Sequence, residues 1–177
     1  MISKFIFLLL GLLFLYIFPQ IPIQKTVQNK EIVETNHQEV ARVLRVIDGD
    51  TIEVALNNKK EIVRLIGIDA PEVVDPRKTV ECFGRKAGEK AKEMLIGKTV
   101  TLESDSTQGD RDKYGRLLRY VFLDDLNFNK FTISEGYAHE YTYQSNPYKY
   151  MKEFKKAGEE AWEEKKGLWD KNACEIP

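Results

Sequence analysis

The chain has 177 residues, a length that suits one domain plus appendages. It carries 27 Lys and Arg against 28 Asp and Glu, a formal charge of −1, and that balance argues against a generic polyanion-binding surface. With only two histidines, His37 ahead of the domain and His139 without an acid or cysteine at zinc-ligand spacing, the sequence argues against histidine-based metal or nucleophile chemistry.

Met1-Ile2-Ser3-Lys4 leads into a run from Phe5 to Phe18 whose only polar group is the Tyr16 hydroxyl. About 14 apolar residues fall short of the ~20 a membrane span needs, so the run reads as a secretory signal. Phe18-Pro19-Gln20-Ile21-Pro22 is a poor cleavage site, which keeps both a cleaved signal peptide and an uncleaved anchor (residues 1–18) open. In either case the rest of the chain is expected outside the cytoplasm, secreted or held on the outer face of the membrane through residues 5–18. Residues 19–38 are polar, lack a sustained apolar period and read as a flexible tether. The folded domain is expected over residues 39–174. From Glu39 onward there are 24 basic and 26 acidic residues, so nucleic-acid binding would need positive charge concentrated locally, with a metal supplying part of it. Cys82 and Cys174 form a disulfide by default in an exported chain. It would close a loop around most of the domain, contributing on the order of 4–5 kcal/mol in the chain-entropy account. Two free thiols, or a nucleophilic cysteine, are the weaker alternatives.

Along the domain, VARVLRVI (40–47) and TIEVAL (51–56) read as strands joined at Asp48-Gly49. KEIVRLIGI (60–68) follows an Asn57-Asn58-Lys59 turn as a third strand. A helix is predicted over 83–95, with Ala87, Ala91, Met94 and Leu95 on one side and Gly97 ending it. Residues 98–102 and 117–123 read as the fourth and fifth strands, separated by a loop (104–115) rich in Asp, Gly, Ser and Thr. Two helices complete the chain, over 127–135 and over 147–165, the latter with Phe154, Ala157, Ala161 and Trp162 on one side. This order predicts an α+β domain with a mainly β core: a five-stranded barrel of the oligonucleotide-binding (OB-fold) type flanked by three helices.

The chemistry sits in three short motifs, VIDGDTIEV (46–54), VRLIGIDAPE (63–72) and DKYGR (112–116). Taken alone, Asp48-Gly49-Asp50 is a turn and Asp69-Ala70-Pro71-Glu72 a strand exit. Together, Asp50 and Asp69 end neighbouring strands and could reach one barrel rim, where two carboxylates, a backbone carbonyl and waters make a hard-cation site. Glu72 would lie beside it as a general base toward water. Arg64 is flanked on its own strand face by Ile62 and Ile66 rather than by other charges. With Arg116 it makes a pair of guanidiniums suited to a phosphate. Tyr137, Tyr141, Tyr143, Tyr148 and Tyr150 cluster in GYAHEYTYQSNPYKY, either as packing residues or as a stacking wall for a base.

These three motifs, in this order and spacing, resemble the staphylococcal nuclease (thermonuclease) family, and the final GLWD resembles its C-terminal segment; the likeness covers about residues 39–172. The resemblance implies a calcium-dependent endonuclease of DNA and RNA that cleaves the 5′ P–O bond and leaves 3′-phosphates. It implies Asp50, Asp69 and the backbone carbonyl of Ala70 as calcium ligands, Ala70 standing where the family usually has threonine. Arg64, Glu72 and Arg116 match the catalytic set, Lys113 and Tyr114 the residues near a nucleotide 3′-phosphate, and Tyr141 and Tyr143 the Tyr-x-Tyr beside the nucleotide. The stretch from Gly136 runs one residue shorter than the family pattern, and the domain is slightly acidic where the best-known member is basic. A monomer is expected. The alternative is a non-catalytic module of the same fold that binds nucleic acid or protein, against which the complete charged set argues. A structural role in the cell envelope would rest on the N-terminal segment alone.

Overall fold

A computed structural model describes residues 37–71 and 83–173. The signal or anchor, nearly all of the tether, Glu72, Cys82 and Cys174 lie outside the described residues. Among the described residues no helix is long and apolar enough to cross a membrane.

Five strands build the barrel: β1 (Gln38–Val46), β2 (Thr51–Leu56), β3 (Lys59–Leu65), and, after two short or helical elements, β5 (Thr99–Glu103) and β6 (Leu117–Leu123). β2 folds back on β1 and β3 on β2, both antiparallel, with Thr51 opposite Arg64. β5 pairs with the other edge of β1, and β6 with β5. Closure comes from the parallel pairing of β3 with β6, Val63 opposite Leu117 and Leu65 opposite Arg119. No edge of the five strands is left open, which suits an antiparallel meander rich in Val, Ile and Leu. Strand alternation turns Val54, Val63, Leu65, Val100, Leu102 and Val121 inward, each at most 2% exposed.

Three helices cover the barrel: α1 (Gly84–Leu95), α2 (Phe128–Ser134) and α3 (Met151–Glu163). α1 buries Ala87, Gly88, Ala91 and Leu95, and beyond it Gly97 donates to the Val43 carbonyl at 3.0 Å, seating the helix end on β1. α3 buries Phe154, Ala157 and Ala161. Trp162, expected on that buried side, is 63% exposed instead. The helix also starts later than Pro147. The backbone there is committed elsewhere: the Pro147 carbonyl accepts from Thr107 Oγ1 (2.9 Å) and the Lys149 N–H donates to Asp105 Oδ2 (2.8 Å). Those groups tie residues 147–149 to the 105–108 loop, and the Met151 N–H donates to the Tyr148 carbonyl (3.1 Å) rather than to that of Pro147.

The fold begins one or two residues earlier than expected. Gln38 opens β1, and the His37 N–H and carbonyl bond Ser104 Oγ and N, so the end of the assumed tether belongs to the sheet. The third strand is likewise interrupted. β3 stops at Leu65, and a two-residue β4 (Ile68–Asp69) pairs instead with β8 (His139–Glu140). Gly67 makes the break, with φ of 78°. A Cβ there would lie 2.7 Å from the Tyr148 ring and 2.9 Å from that of Phe154, so only glycine fits. The buried Asn129 of α2 holds the turn, its Nδ2 donating to the Ile66 carbonyl (2.8 Å) while its Oδ1 accepts from Val121 N (2.9 Å). A short β7 (Leu126–Asn127) folds back antiparallel on the end of β6 before α2.

Candidate active site

Four segments meet on one rim of the barrel: the Asp48–Thr51 turn, the end of β3, β4 with Ala70, and the 112–116 loop. Gly49 permits the approach of the first and third, since a Cβ on it would fall 2.6 Å from that of Ala70 and 3.1 Å from that of Ala87 in α1. Asp50 is buried, 6% exposed. Its Oδ2 accepts from the Ala70 N–H (2.8 Å) and its Oδ1 from Thr51 Oγ1 (2.9 Å), while its own N–H donates to Asp48 Oδ1 (3.0 Å). Arg64 lies across the carboxylates. Its Nη2 donates to Asp69 Oδ1 at 3.1 Å. Its Nη1 lies against Asp50 Oδ2 as an ion pair but without the alignment of a hydrogen bond. Thus Arg64 is held by charge more than by directed bonds.

Burial raises the Asp48 carboxyl to about 7, the negative charge of Asp50 adding to the effect. Asp69 is also raised, first by burial and then by Asp50, with Arg64 opposing. Asp48, Asp50, Thr51, Arg64, Asp69, Ala70, Pro71 and Arg116 enclose a pocket of ≈ 190 Å³. Its carboxylates and amide carbonyls are oxygen donors only, the chemistry a hard divalent cation takes, and carboxylates crowded enough to hold protons are those a cation would relieve. Among the described residues no three His, Cys, Asp or Glu side chains form a metal-holding group by themselves. Two carboxylates supplemented by a carbonyl and water remain the set that fits.

Arg116 is presented by a turn that its own motif builds. Asp112 Oδ1 accepts from the Tyr114 and Arg116 N–H groups, both at 2.9 Å, and Asp112 Oδ2 from Arg116 Nε at 2.6 Å. Burial would raise the Asp112 carboxyl, but these bonds outweigh it and hold it below its ordinary range. Arg116 Cζ and Lys113 Nζ lie over the exposed Tyr114 ring, 5.4 and 4.9 Å from its centre.

Next to the acidic pocket opens a cleft of ≈ 350 Å³ that shares Arg64, Asp69 and Arg116 with it. Leu65 to Ile68 and Leu118 supply apolar lining. Lys113 and Tyr114 line it from the loop, and Tyr141 and Tyr143 from the segment after β8. Tyr141 is placed by its N–H, which donates to the Gly67 carbonyl at 3.0 Å, and its ring centre lies 6.4 Å from that of Tyr143.

The structure therefore gathers Asp50, Arg64, Asp69, Ala70 and Arg116 in one pocket and Lys113, Tyr114, Tyr141 and Tyr143 in the adjoining cleft. Tyr148 is buried against Phe154, Tyr150 packs on Tyr120, and Tyr137 packs against Phe83 and Phe131, so these three serve packing. Three residues were not picked out as site residues. Asp48 joins the acidic pocket, Asp112 holds Arg116, and Gln108 lines the cleft. Asp112 heads the DKYGR motif, a place where aspartate builds turns; Gln108 carries no sequence signal.

The sequence model of the family described as staphylococcal nuclease homologue matches residues 62–171. The chain is 38% identical over 133 residues to a thermonuclease of Staphylococcus hyicus, covering 75% of this chain and 77% of that one. It is 40% identical over 130 residues to endonuclease YncB of Bacillus subtilis, covering 72% of this chain and 60% of the relative. To the SPbeta prophage-derived endonuclease YokF of the same organism it is 42% identical over 130 residues, covering 72% of this chain and 43% of the relative. The match thus spans less than two thirds of the length of the two Bacillus proteins.

Proposed function

Since the chain belongs to the staphylococcal nuclease family, we propose that it is a calcium-dependent endonuclease that hydrolyses phosphodiester bonds of DNA and RNA and leaves 3′-phosphates. The observation that carries this reading is the placement of Arg64 and Arg116 in both the acidic pocket and the aromatic cleft. A phosphate at that junction meets two guanidiniums, each able to bind its oxygens with a planar fork. These charges are fixed by Asp50, Asp69 and Asp112 before substrate arrives, so little reorganisation is needed as charge builds on phosphorus. Tyr141 and Tyr143 offer faces for a base, and Lys113 and Tyr114 meet a neighbouring phosphate. Glu72, three residues beyond Asp69, takes the proton from the attacking water. Asp50, Asp69 and the Ala70 carbonyl would hold calcium, with Asp48 beside them, and the bound ion supplies positive charge against the phosphate. The enzyme acts as a monomer, secreted or tethered outside the cytoplasm.

The test is digestion of single-stranded DNA, duplex DNA and RNA by the purified protein, with calcium and then with a calcium chelator, followed by end-group analysis. Calcium-dependent products bearing 3′-phosphates are expected. Binding without cleavage, or cleavage indifferent to the chelator, would overturn the reading and favour a non-catalytic binding module.

A further inference from the structure

Arg111 is exposed, outside the acidic pocket and the cleft, yet its guanidinium makes three bonds. Nη1 donates to Glu61 Oε2 at 2.8 Å and Nη2 to Glu61 Oε1 at 3.1 Å, a two-pronged fork onto one carboxylate. Nη1 also donates to the Gly115 carbonyl at 2.8 Å. Its Nε lies 3.8 Å from Asp110 Oδ2. A single ion pair this exposed, with side chains 41% and 23% accessible, contributes little to stability. The fork and the third bond make this pair different, because they join two segments the proposed reaction must hold in register.

One segment is β3, which carries Glu61 and, three residues or about 10 Å further along, Arg64. The other is the hairpin closed by the Arg111–Leu117 bridge, whose return arm carries Arg116 opposite Asp112. The Gly115 carbonyl and the Arg116 N–H belong to one peptide unit. Arg111 binds its carbonyl end, and Asp112 Oδ1 accepts from its N–H end at 2.9 Å. A peptide unit is planar, so bonds at both ends fix the plane from which the Arg116 side chain departs. Gly115 turns the chain there with φ of 82°, its N–H donating to the Asp112 carbonyl at 3.0 Å while the Arg116 carbonyl accepts from the Asp112 N–H at 3.0 Å, which leaves the Gly115 carbonyl for Arg111.

We propose that Arg111 is a positioning residue: by gripping Glu61 and the Gly115 carbonyl together it locks the Gly115–Arg116 peptide against β3 and sets the spacing of Arg116 from Arg64. This rests on the reading of those two arginines as the phosphate clamp. Releasing the lock displaces Arg116 without removing it, and a misplacement near 1 Å is enough to slow a positioned reaction about 10–100-fold.

Arg111→Met, Arg111→Lys and Glu61→Gln in the full chain test this, each compared alone and in an Arg116→Ala background. Arg111→Met should lower kcat about 10–100-fold with KM held within about twofold, and speed amide exchange at Arg116 while leaving β5 unchanged. In the Arg116→Ala background the same change should cost about twofold or less, because nothing remains to be positioned. Arg111→Lys keeps the charge but cannot span both partners, so it should fall between Met and wild type. An equal loss in both backgrounds, or unchanged kcat and unchanged exchange at Arg116, would overturn the proposal. Full activity of both Arg64→Ala and Arg116→Ala would instead bring down the clamp reading and Arg111's part in catalysis. Accelerated exchange at Arg116 would still uphold the lock itself.

Discussion

Single carboxylates in this site differ by environment, and the differences have measurable signs. Burial, then the charge of Asp50, raises Asp48 from 3.8 to about 7. Below the unfolded value both states carry the proton and its contribution is fully present. Between the two values only the folded state keeps it, so stability falls as pH rises from about 4 to about 7, by at most about 1.4 kcal/mol per unit. Asp69, also raised, adds in the same direction, whereas Asp105 and Asp112, held low, act only near and below the ordinary carboxylate range. Urea unfolding in chelator should show wild type losing stability between pH 5 and 7.5, and Asp48→Asn losing much less. Parallel pH dependences would remove Asp48 as the cause. Arg116 makes a second residue-scale case. Its Nε bonds Asp112 and its plane covers Tyr114, arrangements a lysine ammonium cannot reproduce. Arg116→Lys should lower kcat about 10²–10³-fold, measured by initial rates on single-stranded DNA; near-normal turnover would take Arg116 out of the clamp.

Among the elements, the break between β3 and β4 does most to shape the cleft. Gly67 turns the chain there, its carbonyl holds the Tyr141 N–H, and Asn129 bonds the preceding carbonyl from beneath. Gly67→Ala combines a left-handed backbone with a Cβ 2.7 Å from the Tyr148 ring. It should cost about 2–4 kcal/mol in urea unfolding and weaken substrate binding through Tyr141. A loss below about 1 kcal/mol would mean that the Tyr148 and Phe154 rings give way easily. The sequence pattern ran KEIVRLIGI together as one strand because its apolar residues continue through the turn. What interrupts it, the Tyr148 and Phe154 rings and the Asn129 amide, lies 62 to 87 positions further along and leaves no local mark. The start of α3 was misplaced for the same reason. Pro147 is a good first helical residue by itself, but its carbonyl is held by the 107–108 loop.

For the molecule as a whole, the five strands, three helices and two clusters of chemistry were legible, since alternating apolar residues and turn glycines announce a barrel meander. That Asp50, Arg64, Asp69 and Arg116 line one pocket was legible from the three motifs taken together, since each charge alone reads as a turn, a strand exit or a solvated face. The brace at Arg111 and the clamp at Asp112 were not, since a charged loop residue looks solvated until its partner is located. Charge distribution leads to a prediction that neither motif nor fold alone makes. The chain is near neutral, and the cations lining the cleft are Arg64, Lys113 and Arg116. If affinity for single strands comes from these, about three phosphates are neutralised and the logarithm of the binding constant should fall with that of salt at a slope near −2. Fluorescence anisotropy of a labelled oligodeoxynucleotide in chelator, titrated from low to moderate salt, measures it. Lys113→Ala should make the slope shallower by about 0.7. A slope steeper than about −4 would show that strands contact basic surface well beyond the cleft, and the three-cation account of binding would fall.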